Sequence, residues 1–459
     1  MYLNCHSFHS LRYGTIPLED LISKASTLGV KAMALTDINT VTGIYDFIKG
    51  CQTAGIKPVV GMEFRSEHEL RFIGLAKNAA GLAEMNRFLT RHNFENTPLP
   101  LSAPDFENVF VIYPLENVPA VLKEHEFIGL RPEQRQALVL GGWKTRIDKM
   151  VVLQPVTFGT KTEYKLHKIL RAVDLNVILS RLSASDHCRQ TEVMVDMERI
   201  LKCYEDYPQI ISNTEMIIGQ CNFEFDFKTP KNKKYYTNNR KDDLQLLTTL
   251  AQQGLEWRYG QHNAEAKSRM FRELKVIDQL EFSGYFLITW DIIRFSNSQG
   301  FLHIGRGSGA NSIIAYCLGI TDICPLELDL YFERFLNLNR KSPPDFDIDW
   351  SWKERDVILE YIFSRYGYEH VAFCGTNVEF KYRSIFREVG KVFGLPKEEL
   401  DALAKNPMTL HPANEVVREV QLYGMMLEKY PNQRSMHSCG ILISEEPITN
   451  YSVLEMPPK

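Results

Sequence analysis

Carboxylates occupy every second position in the stretch Pro344-Asp-Phe-Asp-Ile-Asp-Trp350. Successive side chains of a β-strand point to opposite faces, so Asp345, Asp347 and Asp349 would line one face of a strand. The large apolar residues between them would line the other face and pack on a core. The pattern therefore predicts a half-buried strand that exposes three like charges side by side.

Such a face needs an explanation, because aspartate is a poor strand former and neighbouring carboxylates repel one another. A bound divalent cation would relieve the repulsion, since Mg²⁺ prefers carboxylate and phosphate oxygens. Two such ions can activate an attacking oxygen and stabilise a leaving oxygen in phosphoryl transfer. The alternative is a solvated edge strand, although serine or threonine would serve that purpose without repulsion. We therefore interpret the stretch as a metal-binding strand.

A glycine-rich turn precedes this strand. The segment Phe301–Ala310 runs from an apolar strand into three alternate glycines, and Ala310–Gly319 is predicted to be a helix. Backbone N–H groups at such a turn and helix N-terminus suit a phosphate, to which Arg306 adds a charged fork and Ser308 a hydroxyl donor. The turn is neither a Walker A loop nor a GxGxxG motif, and by itself it could be a plain tight turn. Followed by the acidic strand, it predicts a nucleotidyl-transfer site.

The totals set broad limits. The chain has 459 residues, which favours two or three domains, and its net charge of −4 is not typical of a nucleic-acid-binding protein as a whole. No apolar run approaches the roughly 18–20 residues of a membrane span, and the N-terminus does not resemble a signal peptide. The nine cysteines form no CxxC pair. Reduced thiols and a cytoplasmic location are therefore expected.

The N-terminal part alternates helix and strand patterns. Leu18–Leu28 keeps helical spacing of its apolar residues, whereas Val30–Asp37 and Gly55–Phe64 are predicted to be strands. Such repeats predict a largely parallel sheet or barrel, with any site at the strand ends. The polar residues at or near these ends are His6, Asp37 and Glu63.

A basic segment, Lys228–Lys241, separates this part from the rest of the chain. It carries six basic and two aromatic residues and no acidic residue. We interpret it as a solvated linker at a domain boundary, with phosphate contact as the alternative. Beyond it, residues 242–280 are predicted to form a charged helical segment and residues 352–405 to be mostly helical.

Short motifs then lie along the second half of the chain. They are Gly284–Ile288, Gly305–Ala310, Ala315–Thr321, Pro325–Glu327, Phe332–Asn337, Pro344–Asp349 and His437–Ile441. In sequence and order they closely resemble the motifs of the bacterial DNA polymerase III alpha subunit, the family C replicative polymerases. The resemblance spans essentially the whole chain, and its central block is highly specific.

The resemblance implies an α/β fold. An N-terminal PHP domain, a distorted β/α barrel, would be followed by a polymerase-beta-like nucleotidyltransferase palm and a helical thumb. The expected domains are residues 1–228 for the PHP domain, 229–373 for the first part of the palm, 374–436 for the thumb and 437–459 for the start of a returning palm segment.

The resemblance also implies residue roles. Asp345 and Asp347 match the catalytic, metal-holding aspartates, and Asp349 is a neighbour that could also bind metal. Nucleotide binding would fall to Gly305, Arg306, Gly307, Ser308, Arg383 and Arg387. For the last two, plain surface charge is an equal alternative. The implied cofactor is Mg²⁺, two ions with substrate. The implied partners are primer–template DNA, dNTP and, through regions beyond residue 459, the sliding clamp and other replisome subunits, without a membrane.

This sequence departs from the family pattern in two ways. The third catalytic aspartate, the fingers and the clamp- and DNA-binding domains would follow residue 459, so a fragment inactive by itself is expected. In the PHP region, the usual His-x-His pair reads Asn4-Cys5-His6, Asp-His reads Asp37-Ile38, and an expected histidine is Arg71. His6, Asp37 and Glu63 remain as a degenerate site. We expect a structural PHP domain without bound metal.

The leading hypothesis is therefore a DNA-templated DNA polymerase in which a primer 3′-OH attacks the α-phosphate of a dNTP. One alternative is a metal-dependent phosphoesterase or proofreading exonuclease in the PHP domain, and another is a non-catalytic scaffold. The short PHP region fits a damage-tolerant polymerase as well as the main replicase, and both roles stay open.

Overall fold

A computed structural model of the chain describes residues 1–66, 68–340, 344–406 and 414–457. Ser342 and Pro343, just ahead of the acidic stretch, lie outside the described residues. The chain divides into two compact units. The first unit comprises Met1–Phe225, Gly375–Ser438 and Thr449–Lys459, and the second comprises Asp226–Cys374 and Cys439–Ile448.

Strands and helices alternate through the N-terminal part of the first unit. The strands are β1 (Asn4–Cys5), β2 (Ala32–Leu35), β3 (Lys57–Ser66), β4 (Glu69–Ala76), β5 (Val109–Pro114), β6 (Glu126–Leu130), β7 (Met150–Val152) and β8 (Pro155–Val156). The helices are α1 (Leu18–Thr27), α2 (Ile44–Ala54), α3 (Ala79–Glu95), α4 (Gln136–Leu140), α5 (Lys161–Asp174), α6 (Met197–Lys202) and α7 (Pro208–Gln220).

These strands form a curled sheet. Six of them pair in the order β2-β3-β4-β5-β6-β7, and β1 pairs with β8, which directly follows β7. Backbone hydrogen bonds also link β1 to β2: the Ala34 N–H donates to the Tyr2 carbonyl (2.7 Å) and the Thr36 N–H to the Cys5 carbonyl (2.9 Å). The predicted α/β fold with an N-terminal barrel is confirmed.

The sheet is parallel except on both sides of β4. Strands β3 and β4 are joined by a connection of two residues, and a parallel pair would need a crossover of a dozen residues or more. The pairs β3–β4 and β4–β5 are accordingly antiparallel. The short connection between β3 and β4 therefore reverses the direction of β4, although the βα repeats predict parallel strands.

The first unit also contains three helices from later in the chain. The helices are α13 (Tyr382–Val392), α14 (Lys397–Lys405) and α15 (Glu415–Met426). Their apolar residues, among them Ile385, Val389 and Leu403, share one buried cluster with Leu166 and Ile169 of α5. The C-terminal residues of the chain contact α3, where the Leu454 N–H donates to the Thr90 hydroxyl (3.0 Å).

The second unit is largely helical. Its elements are α8 (Arg240–Tyr259), α9 (Ala264–Gln279), α10 (Ser283–Ser298), β9 (His303–Arg306), α11 (Ile313–Cys317), β10 (Asp347–Trp350) and α12 (Arg355–Tyr366). One buried cluster joins α8, α9, α10 and α11. No helix in the described parts of either unit is long and apolar enough to cross a membrane.

Of the two predicted helical segments, one differs from the structure. Residues 242–280 are helical, as predicted, and Gly260, with a φ of +77°, divides them into α8 and α9. The region 352–405 includes the strand β11 (Val371–Glu379), which pairs with β12 (Pro431–Ile443). The division between the units falls within both strands. Apolar and β-branched residues in Val371–Glu379 favour a strand, a signal that helical periodicity nearby conceals.

The basic segment Lys228–Lys241 is tied to acidic partners. Lys234 pairs with Glu281 (2.6 Å), and Arg240 pairs with both Asp278 (2.9 Å) and Glu281 (3.0 Å). The segment's end is held by buried Asp243, whose carboxylate accepts the Thr237 N–H and hydroxyl. These charges stabilise the connection into α8, so the linker interpretation fits better than phosphate contact.

A buried carboxylate joins α10 to α12. Asp291 is fully buried and accepts hydrogen bonds from three tyrosine hydroxyls and ion pairs from two arginines. The donors are Tyr236 (3.0 Å), Tyr361 (2.8 Å), Tyr366 (3.1 Å), Arg294 (2.8 Å) and Arg365 (3.3 Å). This cluster holds α12 against α10.

Candidate functional site

The acidic stretch forms a strand with the predicted faces. Strand β10 begins at Asp347, and Asp345 lies immediately ahead of it. The carboxylates of Asp345, Asp347 and Asp349 are exposed. Phe346, Ile348 and Trp350, in contrast, pack against the core of the second unit. Because these rings and methyl groups are buried, the aspartates on the opposite face of the strand are left exposed to solvent.

Strand β9 supplies the partner. It pairs antiparallel with β10 so that Arg306 lies opposite Asp347 and Ile304 opposite Asp349. The glycine turn at the end of β9 and the acidic strand, separated by some three dozen residues in sequence, are therefore neighbours in the structure.

Arginines neutralise the acidic face. Arg306 Nε donates to Asp349 Oδ2 (2.7 Å), and its Nη1 lies 3.7 Å from Asp347 Oδ2. The hydrogen bond that Arg306 donates to Asp349 and the charges of both aspartates raise the pKa of Arg306. Asp345 instead faces Arg340, with 3.3 Å between Oδ1 and Nη2. All these groups are open to solvent, so such pairs are weak and can exchange partners.

Two glycines allow the turn to approach its neighbours. Gly307 has a φ of +72°, and a Cβ there would lie 2.4 Å from Asp347 Oδ2. At Gly305 a Cβ would lie 1.9 Å from the Ile320 carbonyl oxygen. A side chain at Gly305 would push the turn away from the Ile320 backbone, whereas a side chain at Gly307 would displace the exposed Asp347 carboxylate.

The predicted helix Ala310–Gly319 is wrong in extent. Residues Gly307–Asn311 form a 3-10 turn, and α11 covers only Ile313–Cys317. Its first free N–H groups are already bound, since the Ser312 hydroxyl accepts from Ala315 N–H and the Glu273 carboxylate from Ile314 N–H. The helix N-terminus is thus not a phosphate site. The exposed groups of the turn are Arg306, Gly307 and Ser308.

Sequence reasoning missed the residue that binds this turn from the core. Glu273 is fully buried on α9 and accepts a hydrogen bond from the Ser312 hydroxyl (2.8 Å). A signal was present, because Glu273 falls between Met270, Leu274 and Ile277 on the buried face of its helix. An acidic residue on an apolar helix face predicts a buried partner.

The two arginines proposed from the resemblance lie in the first unit. Arg383 and Arg387 are exposed on α13, one helical turn apart. Arg387 pairs with Asp401 of α14. Surface ion pairing of this kind accounts for Arg387 without a nucleotide.

The degenerate PHP residues form two separate polar clusters. Glu63 accepts hydrogen bonds from Asn4 Nδ2 (2.7 Å) and pairs with His6 Nε2 (3.0 Å). Asp37 accepts from the Ser7 N–H (2.7 Å), the Ser7 hydroxyl (2.7 Å) and the Ser10 hydroxyl (2.6 Å). His6 and Asp37 follow β1 and β2, as predicted, whereas Glu63 lies within β3.

A protein cation sits beside Glu63. Arg65 Nε donates to Glu63 Oε1, its Nη2 donates to the Tyr13 hydroxyl (2.9 Å), and its guanidinium lies 4.2 Å from the Tyr13 ring centre. Burial alone would raise the pKa of Glu63, but Arg65 and His6 outweigh it and hold that pKa below its usual range. The charge that a metal ion would supply here comes from Arg65 instead.

Metal chemistry fits the two sites differently. Among the described residues, no group of three or more His, Cys, Asp and Glu side chains is placed to hold a metal ion. At the PHP site the remaining ligands are occupied by protein donors and do not fit a metal cluster. At the acidic strand the exposed carboxylates do fit Mg²⁺, which proteins usually bind through one or two carboxylates together with substrate phosphates.

We expect Gly307→Ala to destabilise the second unit more than Gly319→Ala. Both glycines have a φ of +72°, but a Cβ at Gly319 would meet nothing within 4 Å. Backbone strain should cost about 1 kcal/mol in each variant, and only Gly307→Ala adds the clash with Asp347. Equal losses in urea denaturation would show that the turn does not press against Asp347.

We expect Arg65→Met to destabilise the first unit by about 3 kcal/mol, because Glu63 stays buried without its cation. Arg189→Met, which removes an exposed pair with Glu116 and Glu133, is the control and should cost at most about 1 kcal/mol.

The same variant has a pH signature. In the wild type, the low pKa of Glu63 stabilises the fold above the unfolded value of about 4.3, and this contribution is lost as pH falls. In Arg65→Met the cation is gone, so burial raises the pKa of Glu63. Protonation of Glu63 then removes the buried charge that destabilises the variant. Urea denaturation at pH 7 and near pH 4.5 should therefore show a difference in free energy of unfolding between wild type and Arg65→Met that is smaller at the lower pH. A difference that does not change with pH would contradict the role of Arg65 as counter-ion.

Two protein-family models match the chain. The PHP domain model matches residues 3–119, and the model of the bacterial DNA polymerase III alpha NTPase domain matches residues 245–459. The first match covers β1 to β5 of the curled sheet, and the second includes the glycine turn and the acidic strand. Together they account for more than half of the sequence.

Relatives align along the whole chain. The error-prone DNA polymerase of Symbiobacterium thermophilum is 27% identical over 532 aligned residues, which cover 100% of this chain and 49% of that protein. The DNA polymerase III alpha subunits of Halalkalibacterium halodurans and Bacillus subtilis are each 28% identical, covering 99% of this chain and 45% and 46% of theirs.

The chain spans about half the length of the curated relatives it matches. Within that span it has both of the expected family matches in the expected order. The resemblance suggested by the motifs is thereby confirmed: along its whole length the chain is similar to bacterial DNA polymerase III alpha subunits.

Proposed function

We propose that this chain is part of the catalytic subunit of a DNA-templated DNA polymerase. In the proposed reaction a primer 3′-OH attacks the α-phosphate of a dNTP, a new phosphodiester bond forms, and pyrophosphate leaves. The observation that carries this proposal is the pairing of β9 with β10, which brings Arg306 and the glycine turn against Asp347. The second unit would provide the palm and helices α13–α15 the thumb.

Asp345 and Asp347 would hold two Mg²⁺ ions, with Asp349 as a neighbour. The ions would supply activation of the 3′-OH and stabilisation of the leaving oxygen. The protein's own contribution is to present these carboxylates on a strand whose other face is fixed in the core. The exposure of the acidic face leaves room for a nucleic-acid end.

Arg306 and Ser308 would contact the triphosphate. Arg306 is paired with Asp347 and Asp349, and its guanidinium fork also suits phosphate oxygens. When cations neutralise the aspartates, the guanidinium can transfer to the nucleotide at little cost, because its present pairs are exposed. Gly307 keeps the backbone between Arg306 and Ser308 clear of a side chain.

Primer–template DNA and dNTP are the proposed partners of the whole protein, together with the sliding clamp and other replisome subunits. The PHP alternative is not favoured. Glu63 and Asp37 already accept hydrogen bonds or ion pairs from Arg65, His6, Ser7 and Ser10. A structural role for the first unit therefore fits these contacts better than phosphoester hydrolysis.

We expect the double variant Asp345→Asn, Asp347→Asn to abolish primer extension by the natural protein that contains this chain. Loss of both carboxylates removes the groups that hold the metal ions, and a drop of about 1000-fold or more is expected. Asp322→Asn, an exposed aspartate of the same unit that pairs with Arg258, is the matched control. Primer extension by the double variant at the rate of Asp322→Asn would contradict the proposal.

We expect Arg306→Met to have opposite effects on two ligands. Removal of the competing cation should strengthen Mn²⁺ binding to this chain by roughly 3- to 10-fold, whereas dNTP binding should weaken by roughly 10-fold or more. Electron paramagnetic resonance reports free Mn²⁺, and calorimetry reports dNTP. Arg272→Met, an exposed arginine of the same unit, should change neither. If the affinities for Mn²⁺ and dNTP both rise or both fall, Arg306 does not exchange between the aspartates and the nucleotide as proposed.

A further inference from the structure

A buried ion pair on α9 binds the end of the glycine turn. Arg269 Nε donates to Glu273 Oε1 (3.0 Å), one helical turn away. Arg269 Nη2 donates to the backbone carbonyls of Asn311 (2.8 Å) and Leu330 (2.6 Å). Glu273 Oε2 accepts from the Ser312 hydroxyl (2.8 Å) and, more distantly, from the Ile314 N–H (3.4 Å).

The hydrogen bonds continue from this pair into the turn itself. The Asn311 side chain donates from Nδ2 to the Ser308 carbonyl (2.8 Å). A continuous path therefore runs from α9 through Asn311 to Ser308, next to the exposed residues Arg306 and Gly307. The turn is held at its far end by two charged side chains, although its near end is a simple strand pairing with β10.

Stability alone does not explain this pair. Burial raises the pKa of Glu273 and outweighs the opposing contacts with Ser312 and Arg269, so the desolvation of this carboxyl group is only partly offset by its partners. Well-packed apolar residues often replace a buried ion pair without loss of stability. What apolar residues cannot replace are the directed hydrogen bonds to the carbonyl of Asn311 and the hydroxyl of Ser312.

We propose that Arg269 and Glu273 are positioning residues that fix the glycine turn for triphosphate binding. They act through Asn311 and Ser312, and neither touches the ligand. The inference rests on the proposed function, since it names the residues that hold Arg306 and Ser308 in place. It extends the site from the surface strands to the core helix α9.

The test compares three variants of this chain. Glu273→Gln keeps the shape but removes the charge, and the double variant Arg269→Met, Glu273→Leu removes both buried charges together. Asp291→Asn is the matched control, because Asp291 is equally buried in the same unit but binds α12 rather than the turn. Each is measured for thermal stability, hydrogen exchange, dATP binding with Mg²⁺, and Mn²⁺ binding.

The expected results distinguish a role of the ion pair in positioning the glycine turn from a role in stability alone. Glu273→Gln should weaken dATP binding by roughly 10-fold or more, because small displacements of a binding group have large effects. Hydrogen exchange should become faster over residues 305–312, while Mn²⁺ affinity stays within about 2-fold of wild type. The double variant should recover stability but not dATP affinity. Asp291→Asn should lower stability with dATP affinity unchanged.

Three outcomes would overturn the inference. If the double variant recovers dATP affinity together with stability, or if Asp291→Asn weakens dATP binding as much as Glu273→Gln does, the pair is merely structural. Unchanged exchange over residues 305–312 in Glu273→Gln would also reject it. If wild type binds no dATP but the turn loosens in Glu273→Gln, the proposed function fails while the hold of this pair on the turn stands.

Discussion

The antiparallel pairing of β9 with β10 determines every distance at the candidate site. It sets Arg306 opposite Asp347 and brings Gly307 against the same carboxylate. The register is enforced from behind, because Phe346 and Trp350 pack into the core and a slip by one residue would turn the aspartates inward. The chemistry at the surface is therefore specified by apolar contacts on the opposite face of the strand.

Both units place a guanidinium beside carboxylates, but with different consequences. The Glu63 side chain is 1% exposed and that of Arg65 16%, so separating them would leave a buried charge. Arg306 and Asp349 are 54% and 55% exposed, and water can replace either partner. Burial thus makes the first pair a permanent structural element and leaves the second able to exchange for metal ions and phosphate. The same two functional groups serve stability in one unit and, in the proposed function, binding in the other.

Buried carboxylates also link the elements of the second unit to one another. Asp291 links α10 to the helix that follows β10, and Glu273 links α9 to the turn that follows β9. Each accepts hydrogen bonds from other elements and from an arginine of its own helix, which makes the desolvation of a charge tolerable. The two carboxylates hold different elements, so the turn and α12 can be altered independently.

The sequence by itself determined the two faces of the acidic strand, the βα alternation of the N-terminal part and, through its motifs, the family. These follow from local rules: side-chain alternation in strands, apolar spacing in helices, and short runs of specific residues. Only the tertiary structure decided that α11 is too short to bind a phosphate, that Glu273 already binds its N–H groups, and that Arg65 neutralises Glu63. Glu273 reaches α11 from a helix that is distant in sequence, so the local sequence carries no record of it. Arg65 lies only two residues from Glu63, but the sequence does not show that the fold buries both side chains together.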